Sequence, residues 1–390
     1  MSALDQPLDV ARCRLHEVAL PLVEPFRISG GSLGVRRSLI VAVTDRDGAT
    51  GYGESAPFEA PFYSGETIAS ARACITEHLL PRLEGRAFDS LPAAVAALVV
   101  GIRGNRFARA GVETALWDLA CAKAGVPLTA LLAEVMERMG VPAPAREHAG
   151  VVRSGAALGI PEGDAPVEFL QEEARRWIAR GVHRVKIKVR PGWDVEPVRA
   201  VRRVYEELGA PPRIWADANG AYDRAHDLAA LRALDAEGLE LLEQPFPADD
   251  VLGMLTLGHQ LSTPLCLDES LEDAHAAELF LASDAPGIWN LKVQRVGGLF
   301  ESVRLYAMAV KAGVPLWGGT MPETGVGAQA IIALGSFPGF TLPTDVTASE
   351  RWFAAGADLV EIRMNEAGQI AVPDGPGIAS AGLRDRLAAH

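Results

Sequence analysis

Six charged side chains stand near the ends of short apolar runs. Lys186 and Lys188 lie in VKIKV, Asp217 in WADAN, Glu243 in LLEQP, Asp268 in CLDES and Lys292 in NLKVQ. From Lys188 onward, successive members are 24–29 residues apart, about one strand-plus-helix unit each. Taken singly, a carboxylate after a strand reads as a helix cap or a solvated turn. A single strand lysine reads as an edge residue with its ammonium in water. Taken together on consecutive strands, the three carboxylates repel one another unless a cation joins them. No obvious cation stands beside them in the sequence, and no His or Cys accompanies them as a softer ligand. This donor set therefore points to a hard ion, Mg²⁺ with Mn²⁺ as a substitute, that keeps positions open for substrate oxygen. Such an ion stabilises charge on a bound carboxylate. Lysines on either side could then remove or return a proton at the adjacent carbon. Lys186 beside Lys188, with the metal, is expected to lower the amine pKa toward neutrality, as a general base requires. The chemistry expected is proton abstraction α to a carboxylate through a stabilised enediolate.

The elements that must carry these residues follow from the apolar pattern. Runs at 184–189, 213–219, 239–245, 264–270, 288–294, 315–321 and 340–345 alternate with helical spacers such as 167–180 and 299–312. A run at 149–153 could open the series, giving eight candidate strands. This alternation implies a parallel sheet, either closed into a (β/α) barrel or open and doubly wound. Gly325-x-Gly327-x-x-Ala330 matches a dinucleotide fingerprint only loosely and reads better as a packed turn.

The first third of the chain has a different texture. Residues 13–23 and 38–45 read as strands, with a turn at Asp47-Gly48. Residues 24–35 are glycine-rich and read as a loop. Val112, Ala115, Leu116 and Leu119 recur at helical spacing within 106–124, and Gly125 followed by Pro127 ends that helix. The division expected is an α+β capping domain over 1–140, a barrel over 141–350 and a C-terminal segment over 351–390 that returns toward the cap.

Composition narrows the partners. Lys plus Arg is 37 and Asp plus Glu is 50, a formal net charge of −13. That excess argues against nucleic acid or an anionic membrane surface as a partner. No apolar window reaches membrane-spanning length. The N-terminus lacks a secretory pattern. Cys13, Cys74, Cys121 and Cys266 are far apart and form no CxxC pair, so neither a disulfide framework nor a thiolate zinc site is expected. Cys266 reads as a small core filler on the strand that carries Asp268. The expectation is a cytoplasmic enzyme that takes a small carboxylate substrate and assembles as a homo-oligomer.

The set Lys186-x-Lys188, Asp217-x-Asn219, Glu243-Gln-Pro245, Asp268-Glu269 and Lys292 resembles the enolase superfamily in its muconate-lactonizing subgroup. ARAGVETALWDLACAKAGVPL (108–128) is similar to a helix of that subgroup's capping domain. VKIKVRPGWD (185–194), NLKVQRVGG (290–298), GGTMPETGVG (318–327) and FTLPTDVTASERWF (340–353) resemble most closely the o-succinylbenzoate synthase and N-succinylamino acid racemase family. The resemblance covers nearly the whole chain. It implies a modified (β/α)7β TIM barrel with an α+β cap. It also implies Asp217, Glu243 and Asp268 as Mg²⁺ ligands, with Lys188 and Lys292 facing the α-carbon from opposite sides. Lys186 would tune Lys188. Asn219, Glu269 and Asn290 would orient ligands and lysines. Arg295 matches an arginine that relatives carry three residues after the second lysine. Three departures from the family pattern touch the expected acyl pocket. Lys292-Val-Gln-Arg295 stands where Lys-Pro-Gly-Arg is usual, Gly319-Thr-Met-Pro-Glu-Thr324 where Gly-Gly-Met-Leu-Glu-Ser is usual, and Ala157 where relatives often carry Ser. Gly319, Met321 and Glu323 are accordingly candidate substrate contacts. So are Phe62 and Tyr63 in a capping loop, and Arg27 or Arg295 for a distal acyl carboxylate.

Racemization and dehydration need the same enediolate and are not separated by these residues. A mandelate-racemase-type reading needs a His on the seventh strand, and residues 276–389 contain none. A dipeptide epimerase should carry Asp-x-Asp near the eighth strand, where TLPTDVTASE has only Asp345. Muconate cycloisomerase shares the ligands and lysines. A non-catalytic barrel should have lost at least one of them.

Overall fold

The computed structural model describes residues 2–285, 287–378 and 382–388. Its N-terminal part is a four-stranded antiparallel sheet of β1 (Leu8–Ile28), β2 (Gly31–Asp45), β3 (Thr50–Ser55) and β4 (Arg86–Phe88), in the order β3-β2-β1-β4. The turn between β2 and β3 is the expected one: Gly48 takes φ +90°, and its N–H donates to Asp45 O. The glycine-rich stretch 24–35 differs from expectation, because most of it is strand. An irregularity between Pro21 and Phe26 shifts the register, and pairing resumes at Phe26 with Leu33 and runs to Ile28 with Gly31. The pairing partner on β2 thus overrides the local loop-forming tendency of the glycines.

The helix Arg106–Ala124 lies against β3. It ends at Gly125, whose φ of +68° is one that glycine adopts without a Cβ penalty. The expected face of Val112, Ala115, Leu116 and Leu119 is buried, and so are Glu113, Thr114, Trp117 and Asp118. The helix is enclosed because it is packed between β3 and the barrel. The Glu113 carboxylate accepts the Phe300 N–H at 2.8 Å, at the start of the barrel helix Leu299–Ala312. The close approach of helix to sheet depends on the glycines of GYGES. A Cβ at Gly53 would collide with Gly111 O and come within 2.5 Å of Ala115 N.

The barrel follows. After β5 (Val151–Arg153), seven parallel strands are laid down in chain order. They are β6 (Ala156–Leu158), β7 (Val185–Lys188), β8 (Ile214–Asp217), β9 (Leu241–Glu243), β10 (Leu265–Leu267), β11 (Ile288–Leu291) and β12 (Leu316–Gly318). The run at 340–345 forms no extended strand but closes the cylinder through parallel bridges, Phe340 to Leu316 on one side and Thr344 to Ser154 on the other. The run at 149–153 does not open the barrel. Its residues pair antiparallel with β13 (Gln369–Ala371), and β6 takes the opening place. The spacers are helices Pro166–Ala179 and Leu299–Ala312, as their periodicity predicts. The chain then returns to the first sheet. Leu383 and Leu387 of helix Leu383–Ala388 pack with Val18, Ile40 and Tyr52. Among the described residues, no helix is long and apolar enough to cross a membrane.

Gly53→Ala tests the tight seating of helix on sheet. Both colliding atoms are backbone, so relief requires the helix to move. The expected loss is about 1–3 kcal/mol, seen as a lower thermal midpoint. An unchanged midpoint would show that the two elements are not held at this separation.

Candidate active site

Period-two alternation sorts the barrel strands into an inner and an outer set. Inside, Trp215, Leu241, Cys266, Ile288, Trp317 and Leu342 form an apolar floor. Two residues further along four of these strands come Asp217, Glu243, Asp268 and Asn290, each fully buried. Cys266 is the floor filler expected. Its Sγ accepts the Trp317 indole N–H at 3.1 Å, and burial pushes its thiol pKa well up. The same alternation puts Lys186 and Lys188 inside on β7, in register with Ala157 and Asp217. Lys292 differs slightly from expectation. It is not in strand but caps the short helix Val293–Val296.

The structure draws eleven of the sixteen candidate residues into one cluster. Lys188 Nζ lies 2.5 Å from Asp217 Oδ2 and 2.7 Å from Asn219 Oδ1. Lys186 Nζ lies 2.9 Å from Glu243 Oε2 and 3.2 Å from Asp217 Oδ2. Lys292 Nζ donates to Asp268 Oδ2 at 2.7 Å and to the Tyr63 hydroxyl at 3.0 Å. Arg295 Nη1 pairs with Asp268 Oδ1, and Arg295 Nε donates to Leu271 O at 3.1 Å. Asn290 Nδ2 donates to Glu243 Oε1 at 2.7 Å, and Asn219 Nδ2 to Glu269 Oε1 at 2.9 Å. The cations absent from the sequence spacing are therefore present in space, and each of the three expected ligands already touches one. Among the described residues, no three His, Cys, Asp or Glu side chains converge as a ready-made metal cage.

The electrostatics are those of a desolvated, balanced cluster. Burial raises the Asp268 pKa, but Lys292 and Arg295 outweigh it and hold the carboxyl well below its usual range. Burial likewise opposes the charge on Asp217, and Lys188 and Lys186 overcome it. Glu243 goes the other way: burial, then Asp217, push it well above the carboxylate range, with Asp268 adding to the rise. Glu269 is pushed up to about 7 by burial and by Asp268 and Asp217. Lys186 is raised as well. Burial opposes its charge, but Asp345, Glu243 and Asp217 outweigh burial and hold it above its ordinary range. The carboxylates thus oppose one another's charge, and Glu269 Oε2 is buried without a hydrogen-bond partner. An all-oxygen donor set whose members destabilise one another's charge, with one oxygen unpartnered, suits a hard divalent cation.

The remaining candidates separate by position. Phe62, Tyr63 and Met321 meet in an apolar wall with Phe58, and Phe62 also packs with Phe26, Ile28 and Trp352. The Tyr63 hydroxyl crosses from the capping loop to donate to Asp268 Oδ1 at 2.9 Å. Arg295 is 5% exposed and held by protein groups rather than aimed into an open acyl pocket. Arg27 alternates with Phe26 and Ile28, so it faces away from that wall. It pairs with Glu162 and borders a separate cavity of about 300 Å³. A Cβ at Gly319 would strike the Asn290 side chain, so this glycine makes room for a neighbour of Glu243. Glu323 folds back on its own loop and accepts the Met321 N–H at 2.8 Å; burial and then Glu54 push it up to about 7. Two contributors were missed. Gln294 ties the loop after Lys292 to the cap, donating to Glu54 O at 2.6 Å and accepting the Ala56 N–H at 3.1 Å. Arg184 is fully buried and paired with Asp345. Its signal was the period-two row Arg184-x-Lys186-x-Lys188; Gln294 has no comparable signal.

Comparison with known proteins bears on this geometry. Residues 11–133 match the N-terminal domain of the mandelate racemase / muconate lactonizing enzyme family, and residues 170–381 match the enolase C-terminal domain-like family. An o-succinylbenzoate synthase from Geobacillus kaustophilus is 36% identical over 364 residues, spanning 93% of this chain and 91% of the relative. An N-succinylamino acid racemase from Thermus thermophilus is 37% identical over 373 residues, spanning 95% and 94%. The solved muconate lactonizing enzyme from Pseudomonas fluorescens, complexed with muconolactone, superposes with a TM-score of 0.82 at 25% identity, covering 98% of this chain and 99% of that one. The chain belongs to the mandelate racemase / muconate lactonizing enzyme family and is an enzyme of the enolase superfamily.

Proposed function

We propose that the protein abstracts the proton α to the carboxylate of an N-acylamino acid, such as an N-succinylamino acid, and racemizes it. The same site would serve the dehydration that forms o-succinylbenzoate. The observation that carries this reading is the placement of two lysines. Lys188 ends the second barrel strand and Lys292 follows the sixth, so their ammonium groups reach the mouth from opposite sides of an eight-segment cylinder. A carboxylate held between them would present its α-carbon to both. In one direction Lys188 takes the proton and Lys292 returns one on the other face; in the other direction the roles exchange. Tyr63 and Asp268 orient Lys292, and Asn219 and Asp217 orient Lys188.

Asp217, Glu243 and Asp268 would hold one Mg²⁺, with Glu269 beside them. Mg²⁺ would supply positive charge to the substrate carboxylate as the α-proton leaves. The apolar wall of Phe26, Phe58, Phe62, Met321 and Trp352 excludes water and suits an apolar side chain or aromatic ring. Asp345, whose two oxygens are engaged by Arg184 and by Lys186, is not free to take the ammonium of a dipeptide. The identities of 36–37% to the synthase and racemase, against 25% to the muconate enzyme, favour the same substrates. Four cysteines without disulfides suit the reducing cytoplasm as its compartment.

Glu243→Gln removes a charge from the metal set while keeping its shape. Turnover should fall by about 10²–10³-fold, the scale for one transition-state electrostatic contact. Mg²⁺ affinity, read by calorimetry, should fall with it. Near-normal turnover, or activity indifferent to exhaustive chelation, would refute the metal assignment.

The lysines are tested by α-proton exchange in D₂O from each enantiomer of an N-succinylamino acid. Lys188→Ala should stop exchange from one enantiomer and Lys292→Ala from the other, since neither amine reaches the far face. Exchange at the wild-type rate in both variants would eliminate the two-lysine mechanism. If dehydration alone is catalysed, only Lys188→Ala should abolish proton removal. Lys292→Ala should then lose no more than about 2.7–4 kcal/mol of stabilisation.

Gly319→Ala should act through Asn290. The added methyl displaces the amide from Glu243, so activity should drop at least about tenfold, the scale for groups that orient metal ligands. The far-UV spectrum should not change. Full activity in this variant would mean that the Asn290 contact does not matter.

A further inference from the structure

Beneath the catalytic cluster lies a second set of charges that the proposed reaction does not use. Arg184 directly precedes β7 and is fully buried in the barrel floor. Its guanidinium lies 4.2 Å from the Trp215 ring centroid and 5.5 Å from that of Trp317. Arg184 Nη1 donates to Ala156 O at 3.0 Å, and Nη2 pairs with Asp345 Oδ1. Any side chain at position 155 would run into this guanidinium, so Gly155 leaves room for it. The other oxygen of Asp345 takes Lys186 Nζ at 2.7 Å. The main chain holds Asp345 in place, since its N–H donates to Gly318 O at 2.9 Å.

The charges alternate from floor to mouth: Arg184, Asp345, Lys186, then Asp217 and Glu243. Main-chain bonds already cross the closing seam, from Gly155 N–H to Thr344 O at 2.8 Å and from Thr344 N–H to Arg153 O at 2.9 Å, and an apolar side chain in place of Arg184 would fill the floor as Leu241 and Ile288 do. Buried charges of this kind are weak contributors to stability and are better explained by what they hold in place. Here they hold Lys186. Its ammonium is shared among Asp345, Glu243 and Asp217, and Asp345 makes the shortest of the three contacts. Without Asp345, Lys186 would be drawn wholly onto Glu243 and Asp217 and would compete there with any other cation. Without Arg184, Asp345 would lose the partner that fixes its direction.

We propose that Arg184 and Asp345 are positioning residues. Acting through Lys186, they keep Asp217 and Glu243 available to a divalent cation. This inference rests on the proposed role of those two carboxylates as metal ligands. It goes beyond that role by assigning a function to a buried pair that touches neither metal nor substrate.

The test is calorimetric titration of the full chain with Mg²⁺ alone. Asp345→Asn should weaken Mg²⁺ binding by about tenfold or more, the scale for groups that orient ligands from behind. Its kcat at limiting Mg²⁺ should fall in parallel, while KM for the carboxylate substrate at saturating Mg²⁺ changes by less than about threefold. Should that variant fail to fold, Arg184→Gln with Asp345→Asn removes both buried charges together, and the same loss of Mg²⁺ affinity is expected. Cys266→Ala disturbs the floor without touching a charge and should leave Mg²⁺ binding within about twofold. Wild-type affinity in either folded Asp345 variant would overturn the proposal, as would an equal loss in Cys266→Ala. Failure of the wild-type protein to bind Mg²⁺ would overturn the metal reading itself, a different result.

Discussion

The site depends on the compensation of buried carboxylates by buried ammonium and guanidinium groups at one height of the barrel. Asp217, Glu243 and Asp268 are fully buried. An isolated ionised carboxylate in such a place would take up a proton rather than remain charged. Lys188, Lys186, Lys292 and Arg295 keep Asp217 and Asp268 from doing so, whereas Glu243, the least well compensated, is pushed well above the carboxylate range. The barrel makes this possible by presenting one inward position per strand at each level. Neighbouring strands then place opposite charges side by side, as Lys188 and Asp217 are in register on β7 and β8.

Compensation also bears on reactivity. Lys186 and Lys292, held above their ordinary range, are cations at neutral pH, whereas a general base must be able to lose its proton. Burial opposes the charge on Lys292, but Asp268 and Tyr63 dominate and hold its ammonium well above the ordinary range. A divalent cation on the carboxylates would weaken their hold on the neighbouring amines, because charge at the same oxygens is then shared. The ligands and the lysines form one electrostatic system. Removing any member changes the protonation of the rest, and single substitutions there should not be additive.

Much of this was legible before any coordinates. The 24–29-residue spacing assigned Lys188, Asp217, Glu243, Asp268 and Lys292 to successive strand-plus-helix units, and alternation put Lys186 with Lys188 and Cys266 with Asp268. What escaped depends on contacts that spacing does not encode. Residues 24–35 read as a loop, but pairing with β2 extends β1 through Ile28. The segment 149–153 has a strand's composition, yet its partner is β13, more than 200 residues away. Arg295 and Arg27 carry the right charge for an acyl carboxylate, but Asp268 claims the first and Glu162 pairs with the second. Gly319 sits in the expected motif for another reason, as space for Asn290.

On the proposed reading, specificity within this framework would be set from the cap. The barrel supplies a polar ring that would treat many carboxylates alike, so discrimination needs contacts with the rest of the substrate. On the proposed reading those contacts would come from the wall of Phe58, Phe62, Tyr63 and Met321, where the Phe58 and Phe62 rings stack at 4.8 Å. Tyr63 joins the two layers, since one side chain packs in this wall and reaches both Lys292 and Asp268. A substrate group that displaces the Phe62 wall would therefore shift the Tyr63 hydroxyl and disturb one lysine but not the other. Fit in the acyl pocket would then change the balance between the two proton-transfer directions. In this way one polar ring could serve both a racemization that uses two lysines equally and a dehydration that uses mainly one.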